Sequence, residues 1–269
     1  MPICEVDGVA LSYEIAGPQG RPEAAPALTF AHGYAFDRGC WRPQVAAFRD
    51  HHRVLSFDFR GHGESGLGAA DYRMEDLAAD VVGLLDANGI ERTHYVGASL
   101  GGMVGFALAL GHADRLASLT LMATQGVMPD SGKQFIRDNV KAMQAAGEVI
   151  GDRARVMTER YFAPEFKAEN PAEFERLQGI VAGHSVAGFA KSSAAIVAMD
   201  FDDRLEEIHV PTLVVAGEFD VPTPPGRMEV YRDRIPGARM AVIAGAGHVP
   251  NAERPHAFNA VLADFFDQR

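Results

Sequence analysis

The chain has 269 residues, a formal net charge of −11 and 47% hydrophobic residues. That size suits one large α/β domain or a domain with an insertion, and the apolar share is enough for a sizeable core. The acidic balance excludes the electrostatic footprint of a nucleic-acid or anionic-membrane binder, two cysteines make no disulfide framework, and no apolar stretch reaches the roughly 18 residues needed to span a bilayer.

Residues 1–8 have no basic region followed by an apolar run, so no signal peptide is read there and a cytoplasmic location is expected. Residues 3–6 and 9–16 alternate apolar and polar around Asp7-Gly8, a hairpin signal. A loop rich in Gly, Pro and Ala follows near 17–26. Apolar runs at about 27–31, 53–57, 93–96 and 116–122 then predict strands. Between them Met74, Leu77, Ala78, Val81, Leu84 and Leu85 recur at helical spacing. Strands separated by helices imply a mostly parallel sheet with helices on both faces.

The alternation breaks after Met122. From about Gln125 to Phe201 no strand is read. Ile136, Val140 and Met143 share one helical face, Phe174, Leu177 and Val181 another, and Phe189, Ser193 and Val197 a third. About four short helices are expected there. The strand–helix pattern resumes at 211–217 and 239–243 and closes with a helix from about 255 to 266.

Val96-Gly97-Ala98-Ser99-Leu100-Gly101-Gly102 carries the chemistry. It sets a serine between two glycines, after an apolar strand and before a helix, which is the Gly-x-Ser-x-Gly nucleophile elbow. A strand must reverse into a helix with Ser99 at the apex, and side chains two before and two after would collide with the turn. Leu100 then presents its backbone N–H at a helix N-terminus, where it faces a developing negative charge. A serine nucleophile on such a sheet needs an acid and then a histidine further along the chain. The run Thr212–Asp220 ends in Glu218 and Asp220, and the run Met240–His248 ends in a glycine-bracketed histidine. Upstream, the strand at 28–31 ends in His32-Gly33-Tyr34, where a second oxyanion donor belongs.

In this order these pieces resemble the α/β-hydrolase family over nearly the whole chain. Asp58-Phe59-Arg60-Gly61-His62-Gly63-Glu64-Ser65 is similar to that family's Asp-x-Arg-Gly-x-Gly-x-Ser segment, read here as a structural turn beside the site. The resemblance implies a core domain over 1–124 and 202–269, with a helical cap over 125–201 inserted between strands 6 and 7. It implies Ser99 as nucleophile, His248 as general base and Asp220 as the acid that orients it, with the backbone N–H groups of Tyr34 and Leu100 as oxyanion hole. Glu218 competes with Asp220 for the acid, although Asp220 matches the family's Gly-x-x-Asp spacing. His32 and His62 compete with His248, but only His248 follows both serine and acid. His32 is expected to order the oxyanion loop. Asp200, Asp202 and Asp203 read as a solvated cluster.

Trp41, Met128, Tyr161, Phe162 and Phe189 are expected to line a mostly apolar pocket for a small or medium acyl group, each with core packing as the alternative. Arg160 is expected to pair with a substrate carboxylate, with a surface arginine as its alternative. Among family members the chain most resembles bacterial 3-oxoadipate enol-lactonases and similar esterases, through Glu159–Phe166, Ala216–Asp220 with Thr223-Pro224-Pro225, and Gly245–Glu253. It departs from them at Tyr161, where they tend to carry tryptophan, and at His32-Gly33, which they often lack. The expected activity is hydrolysis of a small ester or lactone through an acyl-enzyme. The alternatives are a 3-oxoadipate enol-lactonase specifically, a cofactor-free haloperoxidase or perhydrolase, a C–C bond hydrolase and, last, a non-catalytic ligand receptor. The ten histidines show no His-Glu-x-x-His spacing, so no metal and no other cofactor is expected. The expected partner is a small molecule, with no nucleic acid and no membrane, and a homo-oligomer is left open.

Overall fold

Asp7 and Gly8 both take positive φ, 48° and 73°. Two such residues in succession give the turn whose twist matches that of the strands it joins. They join β1 (Ile3–Val6) to β2 (Val9–Ala16) as an antiparallel hairpin at one edge of the sheet. The computed structural model describes residues 2–19, 25–147 and 149–267. Of the loop expected at 17–26, residues 20–24 lie outside the described residues.

The remaining strands and helices follow in alternation. In chain order they are β3 (Ala27–Ala31), α1 (Arg42–Phe48), β4 (Arg53–Phe57), α2 (Met74–Ala87), β5 (Thr93–Ala98), α3 (Leu100–Gly111) and β6 (Leu116–Met122). Next come α4 (Asp130–Gln144), α5 (Arg153–Thr158), α6 (Phe166–Glu169), α7 (Pro171–Gly183) and α8 (Val186–Ala198). The chain closes with β7 (Thr212–Gly217), α9 (Pro225–Arg234), β8 (Arg239–Ile243), α10 (Pro250–Glu253) and α11 (Pro255–Asp267). The eight strands lie in the order β1-β2-β4-β3-β5-β6-β7-β8. From β4 to β8 every pairing is parallel, and β2 runs against its two neighbours.

Helices cover both faces, so the strands are buried on both sides and read as near-continuous apolar runs. Leu28 and Phe30 of β3 pack with Trp41, Phe48, Phe258 and Phe265. Leu55 and Phe57 of β4 join Leu77, Val81 and Phe106 in the opposite layer. The period of two along each strand sorts side chains between the layers.

Five helices, α4 to α8, lie between β6 and β7, against about four expected. The expectation falls short because α6 is a single turn of four residues, too short for apolar periodicity to register. Single β-bridges, Val127 with Asp200 and Val149 with Ser185, tie parts of the insert together. The insert seats on the C-terminal end of the sheet. Tyr72 Oη and Ser192 Oγ are 2.7 Å apart, and Lys191 Nζ donates to the carbonyl oxygens of Gly68, Ala69 and Ala70. Phe162 stacks on Phe166 and meets Phe174 edge-on, closing apolar surface within the insert. Among the described residues no helix is long and apolar enough to cross a membrane.

Candidate active site

Ser99 sits at φ 48°, ψ −107° between β5 and α3, a conformation sparsely populated outside glycine and stored at functional sites. The flanking glycines are required by close approach. A Cβ on Gly97 would overlap the carbonyl oxygen of Gly101, and one on Gly101 would overlap that of Ala31. The elbow is fixed by Ser99 N–H donating to Met122 O (2.8 Å) and Thr124 Oγ1 donating to Ser99 O (2.6 Å).

His248 follows β8 on a loop that reaches the same point. Its Nδ1 lies 3.0 and 2.9 Å from the two carboxylate oxygens of Asp220. An ionised carboxylate only accepts, so Nδ1 carries the proton and Nε2 keeps a free lone pair. Asp220 also accepts from Thr223 N–H (2.9 Å) and Thr223 Oγ1 (2.7 Å), which locks the carboxylate plane. Both side chains are buried, with Asp220 3% and His248 8% exposed. Glu218 points elsewhere and accepts from Gly245 N–H at 2.8 Å.

Ser99, His248, Tyr34 and Tyr161 line one cavity of about 20 Å³. Among the described residues the backbone N–H groups of Tyr34 and Leu100 donate to no protein group, so both are free for an oxyanion. His32 holds the loop that carries Tyr34. Phe59 N–H donates to its Nε2 (3.0 Å), so its Nδ1 carries the proton and donates to Gly33 O (2.8 Å). Burial pushes its pKa down to about 3, so the ring is neutral. The Asp58–Ser65 segment is a braced turn: Asp58 accepts from the N–H groups of Arg38 and Glu64, and Ser65 Oγ donates to Asp58 O. Arg60 meets Asp80 through two guanidinium nitrogens.

Of the expected pocket residues, Tyr161 faces the cavity, its ring centroid 5.2 Å from that of His248. The others stand outside it. Trp41 is 0% exposed and stacks on Phe30 at 4.8 Å, in the core beneath β3. Met128 packs at the start of the insert, its Sδ taking a hydrogen bond from Gln125 Nε2. Phe162 belongs to the insert's core. Phe189 stands behind Tyr34, stacked on it at 4.4 Å. Arg160 is exposed and lies over the Phe135 ring at 5.2 Å, away from the cavity. Trp41, Phe162 and Phe189 are packed in the interior, while Arg160 is a surface arginine. Sequence reasoning missed Phe36, Cys40, Val249 and Asn251, which also line the cavity. Phe36, three residues after Gly33, and Val249, next to His248, were findable from those positions, whereas Asn251 lies three residues after His248 on α10. Cys40 carried no signal.

Asp202 is also not a plainly solvated residue. Its Oδ1 is buried without a hydrogen-bond partner, and burial raises its pKa. Among the described residues no three His, Cys, Asp or Glu side chains group closely enough to hold a metal ion.

A serine at a strained strand-to-helix turn, on a mostly parallel sheet with a helical insert before β7, places the chain in a class that comparison identifies. The chain belongs to the α/β hydrolase fold family, whose model matches residues 26–255. It is 32% identical to 3-oxoadipate enol-lactonase 1 of Acinetobacter baylyi over 96% of this chain and 93% of the relative. The crystal structure of an enol-lactonase from Burkholderia xenovorans LB400 superposes with a TM-score of 0.90, at 31% identity and coverage of 99% of this chain and 100% of that one. A thermophilic esterase from Thermogutta terrifontis, with malate bound, also gives 0.90, at 28% identity and coverage of 99% and 96%.

Proposed function

We propose that the protein hydrolyses a carboxylic ester or lactone through an acyl-enzyme on Ser99. The observation that carries this reading is the paired geometry of His248 and Asp220, with Nδ1 bonded to the carboxylate and the Nε2-bearing ring lining the same cavity as Ser99. The ester and lactone chemistry of relatives at about 30% identity over nearly full length supports it.

Ser99 Oγ attacks the carbonyl carbon as His248 Nε2 takes its proton. The carbonyl π electrons move onto oxygen, and the Tyr34 and Leu100 N–H groups hold the resulting oxyanion. One such donor is typically worth ~10²–10³ in rate. Asp220 stabilises the imidazolium that forms. The tetrahedral centre collapses, the C–O bond breaks, and imidazolium returns the proton to the leaving alkoxide. In a lactone that alkoxide stays tethered to the acyl group. Water then attacks the acyl-enzyme with His248 again as base, releasing the acid and restoring Ser99. The α4–α8 insert acts as the cap, since Tyr161 closes the cavity and its carbonyl oxygen accepts from His248 N–H at 2.6 Å.

The test is fluorophosphonate labelling with mass spectrometry, followed by a panel of p-nitrophenyl esters and lactones. The reading expects one modified residue, Ser99, and turnover within the panel. An unlabelled Ser99 in a folded protein that turns over nothing would sink it.

A further inference from the structure

Asp220 bonds Nδ1 of His248 and so fixes the ring, but that bond does not place the backbone that carries the ring. This backbone lies on the loop between β8 and α10. Gly247 has close neighbours on both sides. A Cβ there would stand 2.6 Å from Tyr161 O and 2.7 Å from Ala163 N, and a Cβ on Gly217 would overlap Gly247 O. The loop is therefore wedged between the end of β7 and residues 161–163 of the insert.

Glu253, the last residue of α10, joins these parts. It is 2% exposed. Its Oε1 accepts from the N–H groups of Gly247 (2.9 Å) and Val249 (3.2 Å), the two residues that flank His248. Its Oε2 accepts from Ala163 N–H (2.6 Å). His248 N–H donates the other way, to Tyr161 O (2.6 Å). Every N–H from Gly247 to Val249 is thus tied either to α10 or to the insert. Among the described residues the N–H groups of Ala163, Gly247 and Val249 have no acceptor but Glu253. A buried backbone N–H without an acceptor is costly, so removal of the carboxylate drives the loop to another position.

We propose that Glu253 is a positioning residue for the reaction: its carboxylate holds the backbone on both sides of His248 against the insert, so that the ring oriented by Asp220 stays at the Ser99 cavity. This rests on the hydrolytic reading above. Glu253 does not line the cavity, so it acts through His248 and not on substrate. A carboxylate suits the role because both its oxygens accept. Glutamine keeps one oxygen for Gly247 and Val249 and turns its N–H₂ against Ala163 N–H, losing only the tie to the insert. Alanine loses all three bonds.

The test measures kcat and KM on one responsive p-nitrophenyl ester for wild type, Glu253→Gln, Glu253→Ala and Leu84→Ala, together with the proton NMR signal of His248 Nδ1–H. Leu84→Ala truncates the core layer away from Val249 and controls for general loosening. Glu253→Ala is expected to lower kcat about 10²-fold, the scale of a small misplacement of a reacting group, with KM within threefold of wild type and the His248 signal shifted. Glu253→Gln is expected to lower kcat about three- to tenfold, the smaller part of the same misplacement, and decides alone if the alanine variant does not fold. A kcat within twofold of wild type in the folded Glu253 variants, a loss carried by KM, or a loss matched by Leu84→Ala overturns the proposal. An inert wild type whose His248 signal still shifts in the Glu253 variants overturns the hydrolytic reading and leaves the hold on His248 standing.

Discussion

His248 Nδ1 faces both carboxylate oxygens of Asp220, and the same two oxygens take both donors of Thr223. The site therefore offers Asp220 three hydrogens. Asparagine has one acceptor oxygen, so keeping Thr223 N–H turns its amide N–H₂ toward His248. That favours the proton of His248 on Nε2, the atom that accepts from Ser99 in the proposed mechanism. Asp220→Asn is expected to lower kcat about 10⁴-fold with KM little changed, by analogy with the same change in serine proteases. Glu218→Gln, whose carboxylate meets only Gly245 N–H, is expected to stay within a few-fold of wild type. Steady-state kinetics on one responsive ester checks both.

Ser99 also makes a stability prediction opposed to its activity. Its φ of 48° costs on the order of 1–3 kcal/mol, and glycine removes that cost while adding roughly 0.4–1 kcal/mol of unfolded-state entropy. Strain is the larger effect. Ser99→Gly is therefore expected to raise stability by about 1 kcal/mol in urea unfolding while abolishing turnover. Ser99→Ala, which keeps a Cβ and so the strain, is expected to abolish turnover without that gain.

These variants touch what was legible in the sequence. Gly97, Ser99 and Gly101 announce themselves because a tight reversal admits no other spelling, and strands buried on both faces leave long apolar runs. The sheet and the order serine, acid, histidine follow from such local rules. The pocket does not. Trp41 and Phe162 have the composition of a binding wall, yet they fill core, because burial rewards an aromatic ring equally in either place. Phe36 stands three residues after Gly33, yet that it lines the cavity emerges only once the chain is folded. The expected count of about four helices fell short at α6, a single turn too short to show repeated apolar spacing.

Glu253 ties the histidine loop to the helical insert. Its carboxyl is buried and accepts from Ala163 N–H (2.6 Å), Gly247 N–H (2.9 Å) and Val249 N–H (3.2 Å). Burial raises its pKa from 4.5 to about 7, against the pull of those three donors. The folded protein thus keeps a proton that the unfolded chain releases near pH 4.5. Stability from this group is full below that pH and is lost as pH rises through about 7. Relative to Glu253→Gln, which does not titrate, wild type is expected to lose on the order of 1–3 kcal/mol between pH 4.5 and pH 7. Urea unfolding of both proteins across that range checks the sign.

Three buried histidines act in the opposite direction. The rings of His32 and His62 are 5.0 Å apart and those of His62 and His184 4.3 Å apart. Burial first, and mutual repulsion of their charged forms second, push them down to about 3, 3 and 2. Nε2 of His62 and of His184 is buried with no hydrogen-bond partner among the described residues, so nothing there stabilises a gained proton. The unfolded chain takes up these protons near pH 6.5 and the folded one refuses them. Stability is thus present above pH 6.5 and is lost as pH falls toward 3. Each histidine contributes a slope of up to ~1.4 kcal/mol per pH unit, so three outweigh the single proton of Glu253 where the windows overlap. A net loss of about 2–3 kcal/mol from pH 5.5 to pH 4.5 is a large share of the ~5–15 kcal/mol typical of a domain. His184→Gln is expected to reduce the slope over that interval by about 1.4 kcal/mol, whatever it does to stability at pH 7. An unchanged slope in urea titrations of the variant would mean that His184 already protonates in the folded state.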